Sequence, residues 1–252
     1  MEWTRPGTGL FLGILMIATP AWAELPRETL VPRVLEQATN LRPHVLRLAL
    51  EAYDEADRAG VVRRDRLTII DYELSSYEKR LWVVDVPSGE VLLEEWVAHG
   101  MGRPAGTGGD LRRVRAFSNR EGTRMSSLGA FLTAETYHGK HGYSLRLDGL
   151  EPGFNDAARR RTIVIHGAAY VSGDRARSGS MGRSWGCPAV RTKASRRLID
   201  AIRGGSLVWA YYPQSSWLEA SRFLQRKPTF LASADHGTVA ERPASARGAG
   251  AP

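Results

Sequence analysis

A mainly β fold (α+β) with an N-terminal helical extension is what this sequence predicts, and three observations predict it. Apolar residues at helical spacing are confined to residues 24–60 and to one stretch after Arg191. From Leu67 the chain breaks into short runs rich in β-branched and aromatic residues. Gly- and Pro-containing turn signals separate those runs. Removing a 23-residue leader leaves some 229 residues (252 − 23), enough for one good core.

The leader comes first. Arg5 supplies a short positive region, "LFLGILMIATP" is apolar but too short to span a bilayer, and "AWA" ends a small-x-small cleavage pattern at Ala23. A cleaved signal over residues 1–23 and an uncleaved anchor both place the body outside the cytoplasm. No later segment is long and apolar enough to span a membrane. Residues 24–65 form the helical extension. In "PHVLRLALEAYDEADRAG" the residues Val45, Leu48, Ala49, Ala52 and Ala56 share one face, Pro43 fits a first turn and Gly60 a stop.

The β domain is expected over residues 66–213. "LTIIDYEL" and "RLWVVDV" are strand-like, and "PSGE" (87–90) turns the chain into "VLLEEWVAHG". Residues 102–124 read as a long surface loop. Their "GTGG" lacks the lysine and following helix of a phosphate loop, so it is turn chemistry. "SLGAFLTAE" and "YSLRLDG" are further strands joined by "TYHGKHG", and "RTIVIHG" (161–167) is a buried-type strand that ends on His-Gly. A Gly/Ser/Arg-rich loop (168–183) follows. "TKASRRLIDAIRGG" is a helix with Thr192 as N-cap, and "SLVWAYYP" is the last strand. Residues 227–252, rich in Ala, Arg, Gly, Pro and Ser, read as a disordered tail.

The net charge of +8 suits contact with anionic envelope material, and a merely solvated basic surface fits it as well. No nucleic-acid module is visible, and export argues against a DNA partner. The chain holds one cysteine, Cys187, which therefore makes no internal disulfide. It is an inert core thiol, half of an intermolecular bond, or a nucleophile. A nucleophile needs a base and donors for an oxyanion. His166 is the candidate base. The Gly167 carbonyl or a neighbour's is the candidate to fix its tautomer. The amides of Gly186 and Cys187 are candidate oxyanion donors, and Pro188 stiffens the chain after the sulfur. A structural Cys and a structural His remain the alternative.

"TYHGKHGYSLRLDG" is the other polar cluster. His138, His141 and Asp148 carry zinc-ligand chemistry, but their spacing in a Gly-rich loop fixes no common face, so no metal is expected. A substrate wall with Tyr137 and Tyr143, either of which could be an oxyanion donor, or ordinary loop residues, fits better. His99 reads as structural or as support for the site.

"IVIHGAAYVS…GRSWGCPAV" resembles the L,D-transpeptidase catalytic domain, the YkuD-like family, in its murein L,D-transpeptidase branch. The likeness covers roughly residues 66–213 and includes "LTIIDYELSSYEKRLWVVDV", "VAHG" and "SSLGAFLTAETYHGKHGYSLRLDGLEPGFND". The common family pattern is an upstream His-Gly, then Ser-His-Gly-Cys with Arg or Asn two residues on. His166, Gly167, Ser184, Gly186 and Cys187 match it; Trp185 replaces the second His and Ala189 the Arg or Asn. Arg183 or Arg191 is the candidate to hold a substrate carboxylate instead, with a surface ion pair as the alternative for either.

The resemblance implies a β-sandwich-like domain and no cofactor; the leader implies a periplasmic or envelope location. It implies peptidoglycan stem peptides as substrates and carbapenem-type inhibitors. Cys187 would attack the L-centre carbonyl of a diamino acid in a tetrapeptide stem, with His166 as base. D-Ala would leave, and an amine would take the acyl group to give a 3→3 crosslink. Gly186, Gly167 and Ser184 would support the oxyanion and the nucleophile; Arg183, Tyr137 and Tyr143, read from the residues and not from the resemblance, are the candidates to bind substrate. A carboxypeptidase or other cysteine hydrolase acting on the same stems, and a non-catalytic wall-binding module, are the alternatives.

Overall fold

The computed structural model describes residues 1, 25–101 and 112–224. The leader over residues 1–23 apart from Met1, the "GTGG" segment and the tail over 227–252 lie outside the described residues. Among the described residues no helix is long and apolar enough to cross a membrane.

Two helices open the fold, α1 (Arg27–Gln37) and α2 (Pro43–Arg58). α2 begins on Pro43 and buries Val45, Leu46, Ala49, Leu50, Ala52, Tyr53 and Ala56 on one face. That face belongs to the same apolar core as the strands, so the helices dock on the sheet. Arg42, just before α2, clamps them there. Its Nε and Nη2 donate to the two carboxylate oxygens of Asp71 at 2.8 and 2.7 Å, and Asp71 is fully buried.

The strands are β1 (Arg66–Asp71), β2 (Leu81–Asp85), β3 (Glu90–Glu95), β4 (Val97–Ala98), β5 (Gly129–Gly139), β6 (Gly142–Gly149), β7 (Val164–Ala168), β8 (Ala189–Arg191) and β9 (Leu207–Tyr211). Three more helices lie between and after them: α3 (Gly173–Arg177), α4 (Thr192–Ile202) and α5 (Ser215–Ala220). Hydrogen bonding runs through all nine strands in the order β3-β2-β1-β9-β5-β6-β7-β8-β4. β3 and β4 are the two ends of that order, yet Trp96 alone separates them in the chain. The sheet is therefore turned over on itself, which is how one sheet gives a sandwich-like core. β9, the last strand in the chain, sits inside the sheet between β1 and β5. Both β1 and β9 are buried almost throughout; β9 is accordingly apolar along its whole length, while β1 buries Thr68 and Asp71 among its apolar residues.

Two local expectations change. "TYHGKHG" is not a connecting loop: β5 runs on through His138 to Gly139, Gly139 pairs with Gly142, and only Lys140 and His141 form the tip. β7 does not end on His-Gly either. His166 stands in its middle, paired antiparallel with Ser144 of β6 and parallel with Ala189 of β8. Thr192 opens α4 as its first residue, with Arg191 at the cap position.

Candidate active site

The register between β7 and β8 builds the site. Because Ala189 lies beside His166, Cys187 falls two residues earlier, alongside the start of β7. No loop has to fold the base back onto the sulfur. Gly167 is required here for packing: a Cβ would lie 2.7 Å from Ser195 Oγ and 3.1 Å from Thr192 Cα, so α4 could not sit against β7. The His166 ring is almost fully buried, and its Nδ1 lies 3.0 Å from the Gly167 carbonyl oxygen. With the proton on Nδ1 donated to that carbonyl, Nε2 is left with its lone pair.

The turn that carries the sulfur is held by serines. Ser184 Oγ donates to the Cys187 carbonyl at 2.6 Å and accepts the Gly186 N–H at 3.1 Å. The Ser184 N–H donates to the His99 carbonyl at 2.8 Å. Ser126 Oγ donates to the Gly186 carbonyl at 3.3 Å and accepts the Gly100 N–H at 3.0 Å. Gly186 has φ of 117° and passes so close to Met125 that a Cβ would lie 2.7 Å from its carbonyl oxygen. Only glycine fits both conditions. His99 is buried and shares its Nδ1 with Arg80 Nη2 at 2.9 Å, so it supports the turn from behind.

Cys187 is half-buried, and its thiol donates to the Thr162 carbonyl at 3.7 Å. Thr162 itself has φ of 53°, an outlier for a β-branched residue, and that strain sits against the sulfur. No hydrogen bond joins Cys187 to His166 in this state, although both line one cavity of about 720 Å³. Burial pushes the Cys187 thiol up, while the Val164 backbone amide, Arg161 and Lys140 pull it back. Burial pushes His166 down, the Gly167 carbonyl opposes this, and His141 and Lys140 add to the lowering. Both directions favour a neutral thiol beside a neutral imidazole, the resting pair for general-base activation.

The cavity is cationic. Arg124, Lys140, Arg160, Arg161 and Arg183 line it against one carboxylate, Glu121, which is already paired with Arg160. Arg183 Nη1 also donates to the Met101 carbonyl at 3.4 Å. Arg191 is not part of the site: it pairs with Glu95 and stacks its guanidinium 5.1 Å from the centre of the Trp96 ring. Tyr137 lines the cavity; Tyr143 does not, because its hydroxyl donates to Asp200 of α4 at 2.7 Å. Trp185 stands 62% exposed at the rim, with the Arg124 guanidinium 4.2 Å from a ring centroid.

The oxyanion expectation is corrected in part. The Gly186 N–H is engaged by Ser184 Oγ and so is not a donor for substrate in this state. The Cys187 N–H has no partner among the described residues. Tyr170 lines the same cavity; burial first, and a negative charge on Cys187 whenever the thiol ionises, push its hydroxyl up to about 12, so it stays a protonated donor. Sequence reasoning overlooked Tyr170. No sequence signal marks it; in the fold it packs on Gly182, where a Cβ would lie 2.5 Å from Tyr170 Cβ.

Arg161 was overlooked too. It donates to the carbonyls of Ser118 and Met125 at 2.6 Å each and to Ser127 Oγ at 2.5 Å; among the described residues no carboxylate pairs with it, and Glu121 acts on it only through its charge. Its charge is thus left to act on Cys187. His138 and His141 part company: His138 packs on Tyr143, and His141 stacks on His166. Among the described residues no three metal-ligating side chains gather.

Residues 37–211 match the family described as the L,D-transpeptidase catalytic domain, and that span holds every element from α2 to β9. The chain belongs to the L,D-transpeptidase catalytic domain family. Solved structures with likeness to this L,D-transpeptidase domain include an L,D-transpeptidase from Xylanimonas cellulosilytica (18% identity, 63% of this chain and 68% of that one, TM-score 0.33). An L,D-transpeptidase from Mycobacterium smegmatis is 15% identical over 59% of each chain, with a TM-score of 0.34. The helical cell shape determining protein Pgp2 from Campylobacter jejuni is 12% identical over 75% of this chain and 58% of its own, with a TM-score of 0.40. The chain thus spans between 58% and 68% of the length of these three. The family assignment rests on the sequence match over residues 37–211. No curated protein matches the chain.

Proposed function

We propose that this domain is a peptidoglycan L,D-transpeptidase that works through a Cys187 acyl-enzyme in the cell envelope. The observation that carries the reading is the placement of Cys187 and His166 by one strand register in one open, cationic cavity. His166 Nε2 takes the thiol proton as sulfur bonds to the L-centre carbonyl of the stem's diamino acid. The Cys187 N–H and the Tyr170 hydroxyl receive the oxyanion. Collapse breaks the amide bond, and the D-Ala amine leaves with the proton from His166. An amine of a second stem attacks the thioester and gives a proton to the now neutral His166. The sulfur departs as a thiolate and recovers that proton. The arginines around the cavity fit the carboxylates of such stems.

The experiment is intact mass after exposure to a carbapenem, whose β-lactam carbonyl a competent thiol opens. We expect one adduct on the parent and none on Cys187→Ala. Digestion of stems should then give crosslinked dimers; shortened monomers alone would point to a hydrolase. A second reading, a wall-binding module without turnover, draws on the thiol bonding to Thr162 and not to His166. Sacculus binding that ignores loss of Cys187 and His166, with no adduct on the parent, would favour it.

A further inference from the structure

We propose that His141 is a positioning residue for the base, covering the face of the His166 ring and fixing its plane. The two imidazoles stack with centroids 4.3 Å apart and planes 22° from parallel. That is a face-to-face contact of two flat rings, and it covers a surface of His166 that would otherwise meet the cavity.

The backbone makes the contact a built one. His141 lies at the two-residue tip of the β5–β6 hairpin, and β6 is hydrogen-bonded to β7, the strand that carries His166. The residue of β6 directly opposite His166 is Ser144, which is small and turns its hydroxyl back to the Gly142 carbonyl at 3.1 Å. Gly142 closes the tip with φ of 72°, so Lys140 and His141 need no left-handed backbone. Two restraints then act on the base at right angles. The Gly167 carbonyl holds Nδ1 in the ring plane, and His141 holds the ring from above. Together they leave Nε2 one direction, and a base in one direction serves a thiol better than a rotating one.

The stack also sets the electrostatics. On the hairpin, His141 and Lys140 face His166; Glu121 and Arg124, Arg160 and Arg161, and Arg183 line the same cavity from the other segments. His141 is itself held below the ordinary histidine value, by burial first and then by Lys140. A neutral His141 shields His166 without charge, and a protonated one repels the proton that His166 would take up.

The inference rests on the base role assigned to His166, so its test uses two readouts. The first is the NMR titration of the His166 ring in the parent, His141→Ala and His141→Phe. The second is the rate of carbapenem acylation in the same proteins. We expect His141→Ala to move the His166 midpoint up, because water reaches the ring and a repelling partner is gone. We expect acylation at neutral pH to fall about tenfold, a fraction of what a well-placed base contributes. His141→Phe keeps a flat ring over His166 and should restore most of the rate. An unchanged midpoint and rate in His141→Ala overturn the inference, as does a phenylalanine variant no better than the alanine one. A parent that no carbapenem acylates, but whose His166 midpoint still depends on residue 141, would remove the proposed function and leave the stacking role standing.

Discussion

Gly186→Ala tests whether the nucleophile turn depends on its backbone. Gly186 has φ of 117°, outside the regions open to other residues, and holding alanine there costs about 2 kcal/mol. The added Cβ would lie 2.7 Å from the Met125 carbonyl oxygen and 3.0 Å from Ile163 Cδ1. A backbone oxygen cannot step aside as a side-chain tip can, so the clash adds about 2 kcal/mol more. The sum, about 4 kcal/mol, corresponds to a melting temperature lower by about 12 °C for a domain of this size. Gly60→Ala is the internal reference. Gly60 also has positive φ, 68°, but nothing lies within 4 Å of its would-be Cβ. Strain alone then costs about 1–2 kcal/mol, or about 3–6 °C. The assays are thermal unfolding and the rate at which iodoacetamide alkylates Cys187, the single cysteine of the chain. Alkylation and carbapenem acylation should change only in the Gly186 variant. If the two variants melt together and Cys187 reacts at the parent's rate in both, the turn is not held as described.

Two further outcomes follow from charged groups. Arg42→Ala removes two of the three donors to a fully buried carboxylate, Asp71, leaving only the Glu73 N–H among the described residues, and should cost about 3 kcal/mol in urea unfolding. Arg42→Lys should recover only part of it, since an ammonium cannot make the fork; full recovery would show that charge alone anchors the helices. For pH, burial depresses His166, so its neutral form persists below the ordinary histidine value. Carbapenem acylation should accordingly survive below that value and fade only as pH drops through the lowered one. Burial raises Cys187, so direct alkylation should climb only above the ordinary thiol value, and Arg161→Met should move that climb higher still. A loss of acylation at or above the ordinary histidine value, or an Arg161→Met profile unmoved from the parent's, would contradict these signs.

What could be read in the chain were features that live in a few adjacent residues. The apolar run of "RTIVIHG" marks a buried strand, Pro43 starts a helix, "PSGE" turns a hairpin, and the single cysteine between Gly186 and Pro188 marks a special turn. Each follows from local sterics or from alternation along one strand, so sequence suffices. The spacing of His166 and Cys187, by contrast, suggested a loop folding back, because a 21-residue separation (187 − 166) says nothing of register.

Tertiary structure decided the rest, because sheet pairing joins residues that the chain keeps apart. It put the last strand inside the sheet between β1 and β5, set His166 beside Ala189, and so brought Cys187 alongside the strand that carries His166. It sent Tyr143 to α4 and Arg191 to Glu95, removing two residues whose chemistry alone had recommended them. It brought in Arg161, Tyr170 and His141, whose positions depend on packing that no window of sequence contains. It also committed the Gly186 amide to Ser184 Oγ, a contact made only once the turn has closed. Sequence singled out Cys187 and His166 as candidates, because chemical capacity belongs to residue type. Which groups surround them is a matter of distance, and distances exist only in the fold.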